Sequence, residues 1–216
     1  MATQVKICGL KTPATMTVAL EAGADYVGLV FFPPSPRSLD VAQAVPLADM
    51  ARGTAKIVVL TVDADDALID TIAAQLQPDI IQLHGSETPE RTAAIKQRTG
   101  CGVMKAVKVA TADDAATAFS YAAPKGPCDM VLYDAKAPKD AILPGGNGLT
   151  FDWHALEGIA GRLNYMLSGG LNPDNVAEAV RLTGARAVDV SSGVETAPGE
   201  KDAARIRAFL AAAKAV

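Results

Sequence analysis

Residues 163–193 read LNYMLSGGLNPDNVAEAVRLTGARAVDVSSG, and this stretch decides the fold. It opens on a β-prone run from Leu163 to Ser168 and turns at Gly169 and Gly170. A helix start follows at Asn172 before Pro173, then a helix stop at Gly184. A second β-branched run, Ala187 to Val190, ends in Ser191, Ser192 and Gly193. A strand, a helix and a second strand within about 30 residues form a βαβ unit, whose strands lie parallel.

The same alternation extends back to the start of the sequence. Strands are predicted at Gln4 to Cys8, Tyr26 to Val30, Lys56 to Val62, Asp79 to Leu83, Gly102 to Val107, Asp129 to Asp134, Leu163 to Ser168 and Ala187 to Val190. Helix starts stand at Thr12 before Pro13, Asp65 before Asp66 and Thr88 before Pro89, where a capping oxygen precedes proline or acid. Gly23, Gly53, Gly100 and Gly184 mark helix ends. Eight such units in 216 residues predict one (β/α)8 barrel over 1–216, an α/β TIM barrel, although a doubly wound open sheet has nearly the same local pattern. The Pro- and Gly-rich segment Ala135 to Thr150 reads as a long loop after the sixth strand, on the catalytic face of a barrel.

Composition narrows the function classes. Twenty basic against 24 acidic residues give a net charge of −4, so no basic field invites nucleic acid. The longest apolar runs, such as Tyr26 to Phe32, fall far short of the ~20 residues a membrane span requires. Cys8, Cys101 and Cys128 are odd in number and irregular in spacing, which suits reduced thiols and offers no zinc-ligand pattern. With no secretory-type segment in the first residues, the expected setting is cytoplasmic.

Barrel enzymes carry their chemistry at the carboxyl ends of the strands. Here those ends supply Cys8, Arg37 in a proline-rich loop, His84, Asp134, Gly169 with Gly170, and Ser191, Ser192, Gly193. Small residues after strands seven and eight let backbone N–H groups close around a phosphate, and Ser191 can open a short helix whose dipole adds to it; the same glycines can also simply turn the chain. Cys8 reads either as a general base needing electrostatic help or as a small buried apolar residue. Asp134 closes an apolar strand, where an acid needs solvent or a partner; it suits a general acid, or pairing with Lys136. Arg37 reads as an anion contact or a solvated loop residue, His84 as a substrate-orienting or structural group. His154 reads as helical and peripheral.

In combination, Lys6-Ile7-Cys8-Gly9, Ser35-Pro36-Arg37-Ser38, Gln82-Leu83-His84-Gly85, Leu132-Tyr133-Asp134, Ser168-Gly169-Gly170 and Val188-Asp189-Val190-Ser191-Ser192-Gly193-Val194-Glu195 resemble, in order and over essentially the whole chain, the phosphoribosylanthranilate isomerases of tryptophan biosynthesis. The resemblance implies an Amadori rearrangement of N-(5-phosphoribosyl)anthranilate without cofactor or metal. It further implies Cys8 as general base and Asp134 as general acid, with Arg37 at the anthranilate and the two late turns at the phosphate. The partner implied is a small phosphorylated substrate, with no protein partner specified. Two other readings share the barrel: a phosphate-binding lyase or synthase of the indole-glycerol-phosphate synthase kind, and a non-catalytic metabolite-binding barrel.

Overall fold

The computed structural model describes residues 2–122, 126–136, 145–146, 148–159 and 161–216. Eight parallel strands close into a barrel: β1 (Gln4–Cys8), β2 (Tyr26–Phe31), β3 (Lys56–Thr61), β4 (Ile80–Leu83), β5 (Gly102–Val109), β6 (Met130–Ala135), β7 (Tyr165–Leu167) and β8 (Ala187–Val190). Each pairs with the next, and β1 returns to β8 in the register Gln4↔Ala187, Lys6↔Asp189. Closure rules out the open sheet. The strand ends differ from the sequence reading by up to two residues, most at β5 and β7.

Every second strand residue points into the barrel, and the two faces differ in content. Outward-facing Val5, Ile7, Val27, Leu29, Ile57, Val59, Val103 and Val131 pack against the helices. The interior is filled by Tyr26, Val58, Met104, Ala106, Met130, Leu132, Met166 and Ala187. Above these, toward the carboxyl end, interior positions turn polar.

The surrounding helices are α1 (Pro13–Glu21), α2 (Val41–Ala51), α3 (Asp66–Leu76), α4 (Pro89–Thr99), α5 (Ala112–Ala116), α6 (Val176–Thr183) and α7 (Ala203–Lys214). The expected caps at Thr12, Asp65 and Thr88 each accept a hydrogen bond from the backbone N–H three residues on. The start expected at Asn172 does not hold. Its Oδ1 accepts from the amides of Asp174 and Asn175, which closes a turn, and α6 begins only at Val176. Gly100 and Gly184 close their helices in the left-handed conformation, whereas Gly23 and Gly53 lie one residue past the caps Ala22 and Arg52.

Between β6 and β7 the described residues carry a short 3-10 turn, Trp153–Leu156, in place of the eighth helix. Gly158 and Gly161, both at positive φ, follow at once and disfavour a longer helix. His154 sits in this turn with its side chain 66% exposed, peripheral as expected. Of the loop read at Ala135 to Thr150, residues 137–144 and 147 lie outside the described residues.

Candidate active site

A cavity of about 790 Å3, counted out to its open mouth, lies at the carboxyl end of the barrel. Cys8, Arg37, His84, Asp134, Gly169, Gly170, Ser191 and Ser192 all line it, along with Ser168, Asp189, Gly145 and Gly146. Residues separated by more than 180 positions in the chain thus share one wall-to-wall space. Among the site residues named from sequence, Gly193 does not line the cavity: a Cβ there would run into the Leu171 carbonyl, so its small size serves packing.

Cys8 ends β1 and is 4% exposed. Its side chain has room because β2 places Gly28 in register beside it; a Cβ on Gly28 would come within 2.9 Å of Cys8 Sγ. Two residues back on the same inward face, Lys6 is fully buried and donates to Asp189 Oδ1 at 3.0 Å. Burial pushes the Cys8 thiol above its ordinary value, and the Lys6 ammonium is the largest opposing influence. Burial lowers the Lys6 pKa too, but Asp189 and Cys8 outweigh it and the ammonium is held charged.

Asp134, near the end of β6, is 5% exposed. Its Oδ1 accepts from the Ala135 amide at 3.0 Å, and its Oδ2 stands 3.1 Å from His84 Nε2. His84 Nδ1 in turn lies 3.0 Å from Gln82 Nε2. Two proton arrangements fit this chain. With Gln82 donating, His84 carries its proton on Nε2 and donates to an Asp134 carboxylate; with the Gln82 amide reversed, a protonated Asp134 donates to His84. The Gln82 Oε1, buried and without a partner among the described residues, is the group that the reversed arrangement would satisfy. Lys136, the alternative partner for Asp134, pairs instead with Asp114 at 3.0 Å. Gly145 closes over this pair so tightly that a Cβ would fall 2.5 Å from His84 Nε2 and 2.6 Å from Asp134 Oδ2.

Arg37 is not a solvated loop residue, being 5% exposed. Its Nε donates to Glu195 Oε1 at 2.8 Å and its Nη2 to Glu195 Oε2 at 2.7 Å, a two-pronged buried ion pair. Lys201 donates to the same Glu195 Oε1 at 2.6 Å and to the Ser191 hydroxyl at 3.2 Å. Burial alone would raise the Glu195 pKa, but Arg37 and Lys201 hold it below the ordinary range. Burial depresses Lys201 despite Glu195. Nη1 is the part of the guanidinium turned toward Gly146, whose absent Cβ leaves it space at the cavity wall.

The two late turns follow neighbouring strands and line the same cavity. Gly169 adopts φ 89°, and a Cβ there would stand 2.7 Å from the Ala135 amide nitrogen. Gly170 adopts φ 63° against the Leu149 and Thr150 segment. Ser191 spends its hydroxyl on the Cys8 carbonyl at 3.1 Å, so what it can offer a ligand is its backbone. The helix expected to open here is a three-residue 3-10 turn, Ser192–Val194. It presents amides but is too short to carry a helix macrodipole.

The sequence motifs contained Lys6, Asp189, Glu195 and Gln82 without assigning them work, and the Lys201 contact went unseen. A charged residue alternating with apolar ones in a strand was the available signal for Lys6 and Asp189. Among the described residues no group of three or more His, Cys, Asp or Glu is arranged to hold a metal. No described helix is long and apolar enough to cross a membrane.

Residues 5–212 match the family model of N-(5'-phosphoribosyl)anthranilate isomerase. An isomerase of that name from Bradyrhizobium diazoefficiens is 57% identical over 215 residues, covering 100% of this chain and 95% of that protein. One from Rhodopseudomonas palustris strain CGA009 is 54% identical and covers both chains fully. Among solved structures, the phosphoribosyl anthranilate isomerase of Thermotoga maritima superposes with a TM-score of 0.88 at 35% identity, over 99% of this chain and 100% of that one. A further structure of this kind, TM-score 0.85 at 33% identity over 99% and 100%, holds reduced 1-(o-carboxyphenylamino)-1-deoxyribulose 5-phosphate.

Proposed function

The chain belongs to the phosphoribosylanthranilate isomerase family, and from that premise we propose that its Amadori rearrangement runs on Cys8 as general base and Asp134 as general acid. The reaction converts N-(5'-phosphoribosyl)anthranilate to the 1-deoxyribulose 5-phosphate product in tryptophan biosynthesis. The observation that carries the assignment of roles is the shared cavity: a thiol on β1 and a carboxyl on β6 line the same space, together with the turns Gly169–Gly170 and Ser191–Ser192. The small phosphorylated substrate fits with its phosphate against the backbone of Gly169, Gly170, Ser191 and Ser192, and its anthranilate carboxylate at Arg37 Nη1. His84 holds Asp134 in place beside the reacting sugar.

Asp134 protonates the ribose ring oxygen, and the furanose opens to a Schiff base. The cationic nitrogen acidifies the neighbouring C2′–H, and the Cys8 thiolate takes that proton. The resulting enolamine tautomerises to the ketone. Fixing the phosphate and the carboxylate before the proton transfers turns two acid–base steps into intramolecular ones. One domain over 1–216 suffices, since residues from β1 through β8 build the site. Three unpaired cysteines, one of which must remain a thiol, suit a reducing, cytosolic setting.

The purified chain incubated with N-(5'-phosphoribosyl)anthranilate should abolish the anthranilate-type fluorescence with turnover. Saturable binding without loss of fluorescence would instead make this a metabolite-binding barrel. Release of carbon dioxide with indole-ring closure on offering the 1-(o-carboxyphenylamino)-1-deoxyribulose 5-phosphate, with no turnover of the ribosyl compound, would make it a synthase.

A further inference from the structure

Cys8 is a buried thiol asked to ionise, and burial opposes that. What faces it is therefore decisive. On its own strand stands Lys6; on β8 stands Asp189; from the hairpin strand Glu200–Lys201 comes Lys201, and from the loop after β2 comes Arg37. Glu195 sits behind the last two, bonded to both. Across the cavity are Asp134 and His84, paired with each other. Lys6, Lys201 and Arg37 set against Asp189 and Glu195 leave one cation in excess, the charge a thiolate would neutralise.

Within this set, Lys6 is singular. It is fully buried, does not line the cavity, and has no route to the substrate; its ammonium pairs with Asp189 at 3.0 Å, two residues from Cys8 on the same inward face of β1, and its charge opposes the effect of burial on the Cys8 thiol. Asp189 is itself tied to Ser168 Oγ at 3.3 Å, which fixes the carboxylate and with it the ammonium. A strand interior is a costly place for lysine, and pairing with Asp189 alone would be served as well by two apolar residues of similar volume.

We propose that Lys6 is a positioning residue for Cys8: its ammonium, anchored by Asp189 beneath the cavity floor, is the counter-charge against which the catalytic thiolate forms. The inference rests on the reading of Cys8 as the base. When the thiolate takes the C2′ proton the ammonium keeps its own, still paired to Asp189, so Lys6 acts through Sγ and never touches the substrate.

Thiolate content can be measured without turnover. Iodoacetamide reacts with the thiolate, so its rate at Cys8, followed by peptide mass spectrometry to separate it from Cys101 and Cys128, tracks ionisation between pH 7 and 10. Removing a nearby opposite charge shifts a pKa by about 1–3 units, so Lys6→Met should slow Cys8 alkylation about 10- to 1000-fold below its midpoint. The double variant Lys6→Met/Asp189→Asn, which leaves no lone buried charge, should slow it as well. Asp189→Asn alone should slow it too, because a buried Lys6 without its anchoring carboxylate gives up its proton and with it the counter-charge. Cys101 should be unaffected in all three. A wild-type rate at Cys8 in the folded Lys6→Met variant or in the folded double variant overturns the inference. Turnover separates this from the reading beneath it. If alkylation falls while kcat holds, Lys6 governs the thiol but Cys8 is not the base; if both fall with KM little changed, both stand.

Discussion

Glu195→Gln tests how far the site depends on a residue that itself does no chemistry. The two carboxylate oxygens accept four contacts: Arg37 Nε and Lys201 Nζ at Oε1, and Arg37 Nη2 and the Gly199 amide at Oε2. A glutamine keeps one acceptor and turns an NH2 toward the other pair, so at least two donors lose their partner in either orientation. At least one of the stranded groups is cationic, and the Arg37, Lys201 and Glu195 side chains are only 2–6% exposed. Breaking one side of a buried ion pair costs about 3–5 kcal/mol. For a domain of this size each kcal/mol is about 2–4 °C, so Tm should fall by roughly 6–20 °C. The deficit should narrow as pH rises, because Lys201, whose pKa burial already depresses, can then surrender its proton and cease to be an unpaired charge. A guanidinium freed from its clamp also regains rotamer freedom worth up to ~2 kcal/mol, so KM should rise about 10-fold or somewhat more. Urea denaturation at pH 7 and pH 10, with initial-rate kinetics on the same preparation, gives all of these quantities. An unfolding free energy within about 1 kcal/mol of wild type, together with an unchanged KM, would refute the clamp.

Cys8→Ser should keep the fold and lose about 10²–10⁴-fold in kcat, since serine is a far weaker base; near-native kcat in the folded variant removes Cys8 from the mechanism. Asp134→Asn should lose kcat on the same scale while KM changes less, and a raised KM with intact kcat would make Asp134 a binding group. Gly169→Ala should damage kcat as well as KM, because its Cβ meets the Ala135 amide beside Asp134; normal kinetics would show that the turn tolerates a side chain. Asp114 is held down to about 2, first by the Ala110 amide and then by Lys136. A depressed carboxylate stabilises the fold above its unfolded pKa of 3.8, and that contribution is lost as pH falls from there through about 2. Asp114→Asn should therefore be less stable than wild type at pH 6, with the gap closing toward pH 2 in acid titrations followed by circular dichroism; a gap independent of pH would point to a cause other than ionisation.

The barrel was legible because its signals are local. Thr12, Asp65 and Thr88 act within three residues of themselves, and each caps where the sequence places it. Asn172 carries the same local signal, yet its side chain is taken by a turn, since proline at 173 also suits a turn and nothing in the sequence arbitrates. Among the described residues between β6 and β7 the helical signal around His154 yields only the 3-10 turn Trp153–Leu156, since Gly158 and Gly161 stand at positive φ just beyond it. At the site, the strand-end rule recovers Cys8, His84 and Asp134 because position along a strand alone decides it. The charges that surround Cys8 escape the same rule. Lys6 meets Asp189 across 183 positions, and Arg37 meets Glu195 across 158, so the partners become visible only once β1 lies beside β8. For the same reason Arg37, which is polar and lies among prolines, reads equally as solvated or bound until Glu195 is beside it.

The seam between β1 and β8 has a consequence for how this chain folds. Contacts spanning nearly the whole sequence are the entropically dearest to make, and their number slows folding. The Lys6–Asp189 pair, and the Cys8 carbonyl accepting from the Ser191 hydroxyl, both sit on that seam. A collapsed chain in which seven strands have paired but the first has not met the last would hold Cys8 as an ordinary solvated thiol with no ammonium beside it. The environment that would arm the general base is thus withheld from incomplete barrels. During refolding, the burst of secondary structure should precede the return of activity, and the two should converge only when the ends of the barrel meet.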